Sequence, residues 1–171
     1  MKTLSLCVVA AALLCPGVFA ADVLAKPIAP LAWLVNGVWS ADATQMGNGM
    51  QRIETRYRWS DNGSFIRFTT HFITDKAEIK RYDGNFFWNP AQSTLAMWYM
   101  DPDNKILEGP IKAQDNTTDF FFTGPNFAGK PSDLRVRVTR KSADAYNWAM
   151  SEKQSDSWKP LASLDYTRKP D

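Results

Sequence analysis

Residues 53–72 read IETRYRWSDNGSFIRFTTHF. Asn62-Gly63 at the centre is a strong hairpin signal, because both central residues of a type I′ turn take φ > 0 and Asn and Gly tolerate this best. A two-residue turn there sets the register. Trp59 then faces Ile66, Tyr57 faces Phe68, Thr55 faces Thr70 and Ile53 faces Phe72. The other face sets Arg58 against Arg67, Arg56 against Thr69 and Glu54 against His71. A slip of one residue would mix the two sets, so turn and pattern agree on one register. The stretch is an antiparallel hairpin with one aromatic and one charged face. Burying its arginines with few acids would forfeit their hydration at prohibitive cost. The aromatic face is therefore the inward one, with His71 on the outer wall.

The same pattern continues outward along the chain. Strand-like segments are expected at 38–44, 51–60, 64–74, 78–88, 94–100, 105–113, 117–123, 133–141, 146–153 and 158–168, with turn residues such as Asn89-Pro90, Asp101-Pro102 and Asp115-Asn116 between them. Upstream, Pro30 is placed to open a single helical turn through Leu34. The connections are short, so sequential strands pair antiparallel. The longest, GPNFAGKPS at 124–132, is the candidate for a mobile lip. About ten meandering strands with no helical half imply an all-β fold. An up-and-down barrel is preferred to a sandwich, because closure removes the sheet edges and a sandwich needs long crossovers. A barrel of eight strands or more is wide enough to be filled by side chains or to hold a small ligand.

Residues 1–20 read as a secretory signal peptide: Lys2, an apolar run at 4–14, and Val18-Phe19-Ala20 as the cleavage site. Leu14 before Cys15 argues against lipidation, because a lipobox needs a small side chain there. The expected organisation is a leader over 1–20, a linker and helical turn over 21–36, and a barrel domain over 37–170. Both cysteines, Cys7 and Cys15, fall in the leader. An exported, periplasmic or secreted chain without a disulfide must be held by its core alone. Removing Lys2 leaves 19 of the 20 basic residues against 18 acidic ones. That balance does not suggest a nucleic-acid binder. No later segment has the length and apolarity of a membrane-spanning helix. A monomer is expected.

Conventional chemistry is sparse. His71 is the single histidine, with Glu54 opposite it and Arg56 on the same face. These two are the weak candidates for an oriented base; the plainer reading is a surface pair across a sheet. One His without Cys makes no typical zinc site, so no metal is expected. No nucleophile elbow is present. GPNFAGK at 124–130 has the wrong spacing for a phosphate loop. Asp101-Pro102-Asp103-Asn104 lacks the later Gly and Glu of a calcium loop.

The string PLAWLVNGVW at 30–39, a helical turn followed by Gly37-x-Trp39, resembles the calycin barrels: lipocalins, fatty-acid-binding proteins and especially nitrobindin-like barrels. Tyr82 to Met100, with its AMWYM run, and the closing SWKPLASLDYTR look like the DUF1579 family of small β-proteins. The resemblance implies a lipocalin-type barrel in which Trp39 closes one end and Arg168, from the last strand, stacks across it as a latch. It also implies haem binding through a late histidine, but no His follows His71. Nor does the family's GxWxGxG pattern survive beyond Trp39, where Ser40-Ala41-Asp42 follow.

Seven Trp, five Tyr and ten Phe are the strongest remaining signal. They either fill the core or line a cavity. Exported calycin-like barrels often carry ligands, which tips the reading toward a cavity lined by Tyr57, Trp59, Phe68, Trp88, Trp98, Tyr99 and Trp148. The expected function is non-catalytic binding of a small apolar or aromatic molecule, without a cofactor. The first alternative is an isomerase, cyclase or hydrolase acting on a lipophilic substrate in that cavity, which needs His71 inside it. The second is haem or nitric-oxide binding, which rests on His71 alone.

Overall fold

The computed structural model describes residues 27–126 and 128–169. The leader expected over 1–20 lies outside the described residues. A 3₁₀ turn, η1 (Ala29–Leu34), precedes ten strands. They are β1 (Val38–Asp42), β2 (Met50–Trp59), β3 (Ile66–Thr74), β4 (Glu78–Asn89), β5 (Thr94–Met100), β6 (Ile106–Gln114), β7 (Thr117–Pro125), β8 (Pro131–Arg140), β9 (Ala145–Gln154) and β10 (Ser157–Lys169). A second 3₁₀ turn, η2 (Thr44–Met46), lies between β1 and β2. Each strand pairs antiparallel with the next, and β1 closes the barrel against β10, Trp39 opposite Arg168.

The β2–β3 hairpin has the expected register, Trp59 with Ile66, Tyr57 with Phe68, Thr55 with Thr70 and Glu54 with His71. The turn itself differs. Ser60 N–H donates to Phe65 O at 2.9 Å and Gly63 N–H to Ser60 O at 2.8 Å, so four residues form the loop. Gly63 has φ 62, while Asn62 is not among the positive-φ residues. The Asn62 Oδ1 instead accepts from Ser60 Oγ, Ser64 N and Ser64 Oγ at 2.6–3.1 Å. These side-chain bonds hold a turn that keeps the same register as the two-residue alternative. The 124–132 segment is also more regular than expected. Gly124 pairs with Ser132 and Pro125 with Pro131, so the ladder extends into it. Past the ladder, Asn126 Oδ1 accepts from Ala128 N and Lys130 N, and its Nδ2 donates to Glu152 at 2.7 Å.

Up-and-down topology sends alternate connections to opposite ends. The 60–65, 90–93, 115–116 and 141–144 connections share the end where η1 sits. Leu31 and Leu34 of that turn and Ile28 just before it are almost completely buried, and so is Trp39. The Trp39 indole N–H donates to Leu34 O at 2.7 Å. Arg168 lies over the Trp39 ring at 4.3 Å. Its Nη2 donates to Trp33 O at 2.7 Å, and its Nη1 donates to Val35 O at 3.0 Å and also to Asn36 O. One guanidinium thus satisfies the carbonyls that the end of η1 leaves open. Gly37 has φ +81, and a Cβ there would meet Lys169 O at 2.8 Å and the Arg168 stem at 3.0 Å. Glycine at this position is what lets the Arg168 chain pass beneath the plug.

Candidate functional site

Plugging one end leaves the barrel open at the other. The interior holds a cavity of about 770 Å³. Gln45 and Met46 of η2, with Pro102, Asp103 and Pro125, line its mouth. The side chains inside come from alternate positions of the strands, as period two requires. Thr55 and Tyr57 enter from β2, Phe68 and Thr70 from β3, and Tyr82 and Phe86 from β4. Ring contacts join one wall: Tyr57 to Phe68 at 6.1 Å, Phe68 to Phe86 at 4.9 Å and Phe86 to Phe120 at 5.1 Å. Toward the mouth, Tyr99 meets Phe68 at 6.3 Å, Tyr82 at 5.4 Å and Phe122 at 5.7 Å. Leu134, Val136, Val138, Trp148, Met150 and Leu164 make the opposite wall.

All five tyrosines of the sequence line this cavity: Tyr57, Tyr82, Tyr99, Tyr146 and Tyr166. Burial pushes the Tyr57 hydroxyl up to about 12, and raises the other four as well. The deep hydroxyls satisfy one another. Tyr57 pairs with Tyr146, and Tyr166 with Thr55. Thr55 and Thr70 share a bond at 3.0 Å across β2 and β3. Tyr146 and Tyr166 stack at 4.8 Å. The deep polar groups are thereby spent on each other, which leaves the inner part of the lumen mainly apolar.

The structure places the expected ligand-binding residues in three settings. Tyr57, Phe68, Tyr99 and Trp148 line the cavity. Trp59 shares the inward side of β2 but is two residues nearer the plugged end. It packs on the core and does not reach the lumen. Trp88 and Trp98 are corrections of another kind. Trp88 is 37% exposed at the end of β4. Trp98 alternates with the inward Met97 and Tyr99, so it faces out, into a groove with Phe65, Arg67, Asp83, Asn85 and Met100.

Glu54 and His71 sit opposite one another in the backbone register but do not pair. The Glu54 carboxylate meets Arg52 at 2.8 Å and Lys169 at 3.6 Å. His71 Nδ1 lies 2.6 Å from Glu78 Oε1. Its neighbours Thr70 and Phe72 both line the cavity, so His71 faces outward between them. The imidazole cannot act on a molecule held inside. A haem held by an imidazole does not fit this donor set either, since the chain's one histidine is on the outer wall. Among the described residues no three His, Cys, Asp or Glu side chains gather as a metal site.

Arg81 is a lining residue that a period-two reading misses. A bulge separates the pairs Thr70–Tyr82 and His71–Lys80, leaving Arg81 without a partner residue on β3. Arg81 joins Tyr82 on the cavity wall, 5.5 Å over the Phe72 ring. Bulges re-aim side chains in this way, and nothing in the local sequence announces one. Tyr82, Phe86 and Tyr166 did carry a signal: the alternation Tyr82-x-Gly84-x-Phe86 and Leu164-x-Tyr166.

No protein-family model and no curated protein matches the chain. Among solved structures it is similar to Rv2717c from M. tuberculosis, with a TM-score of 0.51 at 10% sequence identity, over 85% of this chain and 98% of that one. At that identity the likeness carries the fold alone. No helix of the described residues is long and apolar enough to cross a membrane.

Proposed function

We propose that this is an exported, non-catalytic barrel that takes up one small apolar or aromatic molecule. The reading rests above all on the 770 Å³ cavity, open at one end and walled by rings and aliphatic side chains. That volume is within the roughly 300–1,000 Å³ of ordinary ligand pockets. Export rests on the leader sequence at 1–20. The latched plug supports the same reading, because it closes one end and leaves a single way in. A twelve-carbon chain that leaves water for this lumen gains about 0.8 kcal/mol per methylene, against at least about 4 kcal/mol for lost freedom. Binding no tighter than about 0.1 mM is the expected scale.

The test is calorimetric titration with 1-dodecanol, alongside tryptophan fluorescence. Ala162 is a small residue on the cavity wall. Ala162→Trp should fill the lumen and abolish binding while the protein still melts cooperatively. Trp98→Ala, on the outer groove, should leave binding unchanged. Unaltered binding in Ala162→Trp, or its loss in Trp98→Ala, would move the site out of the barrel.

A further inference from the structure

We propose that the ligand is an amphipathic carboxylate, with its acid group held by Arg81 at the mouth and its apolar body among the interior rings. This rests on the apolar-ligand reading above and names the head group of that ligand.

Arg81 is a cation built into a wall that is mainly apolar, with Asp101 and Asp103 at its mouth. Its Nε is buried and has no hydrogen-bond partner among the described residues. Buried donors are seldom left in that state, because each lost its bonds to water on folding. The nearby acids are otherwise engaged. Asp83 is taken by Arg67 at 3.0 Å and by Lys80 at 2.7 Å. Asp101 Oδ1 caps its own turn, accepting from Asp103 N and Lys105 N at 2.9 Å each. Asp103 lies 3.9 Å from Lys105. Other arginines differ: Arg52, Arg67, Arg137 and Arg168 each have a carboxylate partner.

Arg135 also has an unpartnered Nε, but its guanidinium lies 4.7 Å over Trp158 and is not part of the cavity wall. Among the described residues, Arg81 alone combines an open donor with a place beside the lumen. The Phe72 ring under it supports one face of the guanidinium and leaves its edge for a planar acid, the geometry a carboxylate matches. Tyr82 and Tyr99 stand alongside. Both keep their protons well above neutral pH, so they are donors to an anion. Asp101 and Asp103 share the mouth and disfavour a head group with more than one negative charge.

Laurate and 1-dodecanol, which share a chain and differ in the head, separate the two claims. Titrated by calorimetry into the protein, laurate should bind about 10- to 100-fold more weakly to Arg81→Met than to wild type, the scale of a charge-assisted bond. Dodecanol should change by less than about threefold. Asp101→Asn keeps the turn-capping oxygen and should tighten laurate alone. In the wild type, added potassium chloride should weaken laurate and spare dodecanol. If Arg81→Met leaves laurate unchanged, or weakens both molecules equally, the head-group assignment is wrong. If dodecanol binds and laurate does not, the assignment falls while the cavity reading stands. If neither binds, both fall.

Discussion

Replacing Arg168 by methionine keeps the stem that passes Gly37 and removes the guanidinium. The head group lies 4.3 Å over Trp39, a half-desolvated contact of about 1 kcal/mol. Its bonds to Trp33 O at 2.7 Å and Val35 O at 3.0 Å are part-buried and charge-assisted, at about 1.5 kcal/mol each. The bond to Ala143 O is exposed, and the ion pair to Asp144 meets a carboxylate that is 72% exposed, so both add little. The substitution should therefore cost about 4 kcal/mol. Urea unfolding reads it directly. With a slope of about 2 kcal/mol/M, the midpoint falls by about 2 M at unchanged slope. Arg168→Lys keeps the charge and loses the fork, and should cost about half as much. A midpoint shift under about 0.5 M for Arg168→Met, or a lysine variant equal to wild type, would refute the latch as a source of stability.

Gly84 faces the lumen, and a Cβ there would meet Tyr99 Cβ at 2.5 Å and Phe68 Cζ at 2.8 Å. Gly84→Ala should destabilise by about 1–3 kcal/mol in the same assay. The tyrosines fix the alkaline limit. Each has a folded-state pKa raised above the ordinary value of 10.0, so the stability they contribute is complete below pH 10 and is lost as pH rises through the folded values, about 12 for Tyr57. Tyrosinate absorbance should stay flat in the native protein where all five rings titrate in concentrated guanidinium. A ring that titrates near pH 10 in the native state would place that tyrosine in water.

Much of the fold was legible because a half-buried strand writes its two faces into alternate residues. All ten strands fall within two residues of their expected bounds, and the β2–β3 register is the one that sorts apolar from charged. The turn type was not legible, since Asn62-Gly63 serves a two-residue and a four-residue loop with the same register. The site was legible wherever alternation held. Tyr57, Phe68, Tyr99 and Trp148 stand on lumen positions. Reading Trp98 and Tyr99 as one aromatic cluster ignored that adjacent residues point to opposite faces. Trp59 has the right face and the wrong height, which depends on where η1 seats. Glu54 and His71 are neighbours in register, but Arg52, Lys169 and Glu78 offer each a better partner. Arg81 depends on a bulge, a three-dimensional accident of register with no sequence signature.

The central claim is that the ligand lies inside the barrel. The indole N–H resonances of the seven tryptophans, followed by nitrogen-resolved NMR during titration with 1-dodecanol, test it most directly. Trp148 stands on the cavity wall, while Trp88, Trp98 and Trp158 do not. The account predicts that the Trp148 indole shifts on binding and that these other three stay in place. A still Trp148 with moving outer indoles, or seven unmoved resonances at saturating dodecanol, would contradict it.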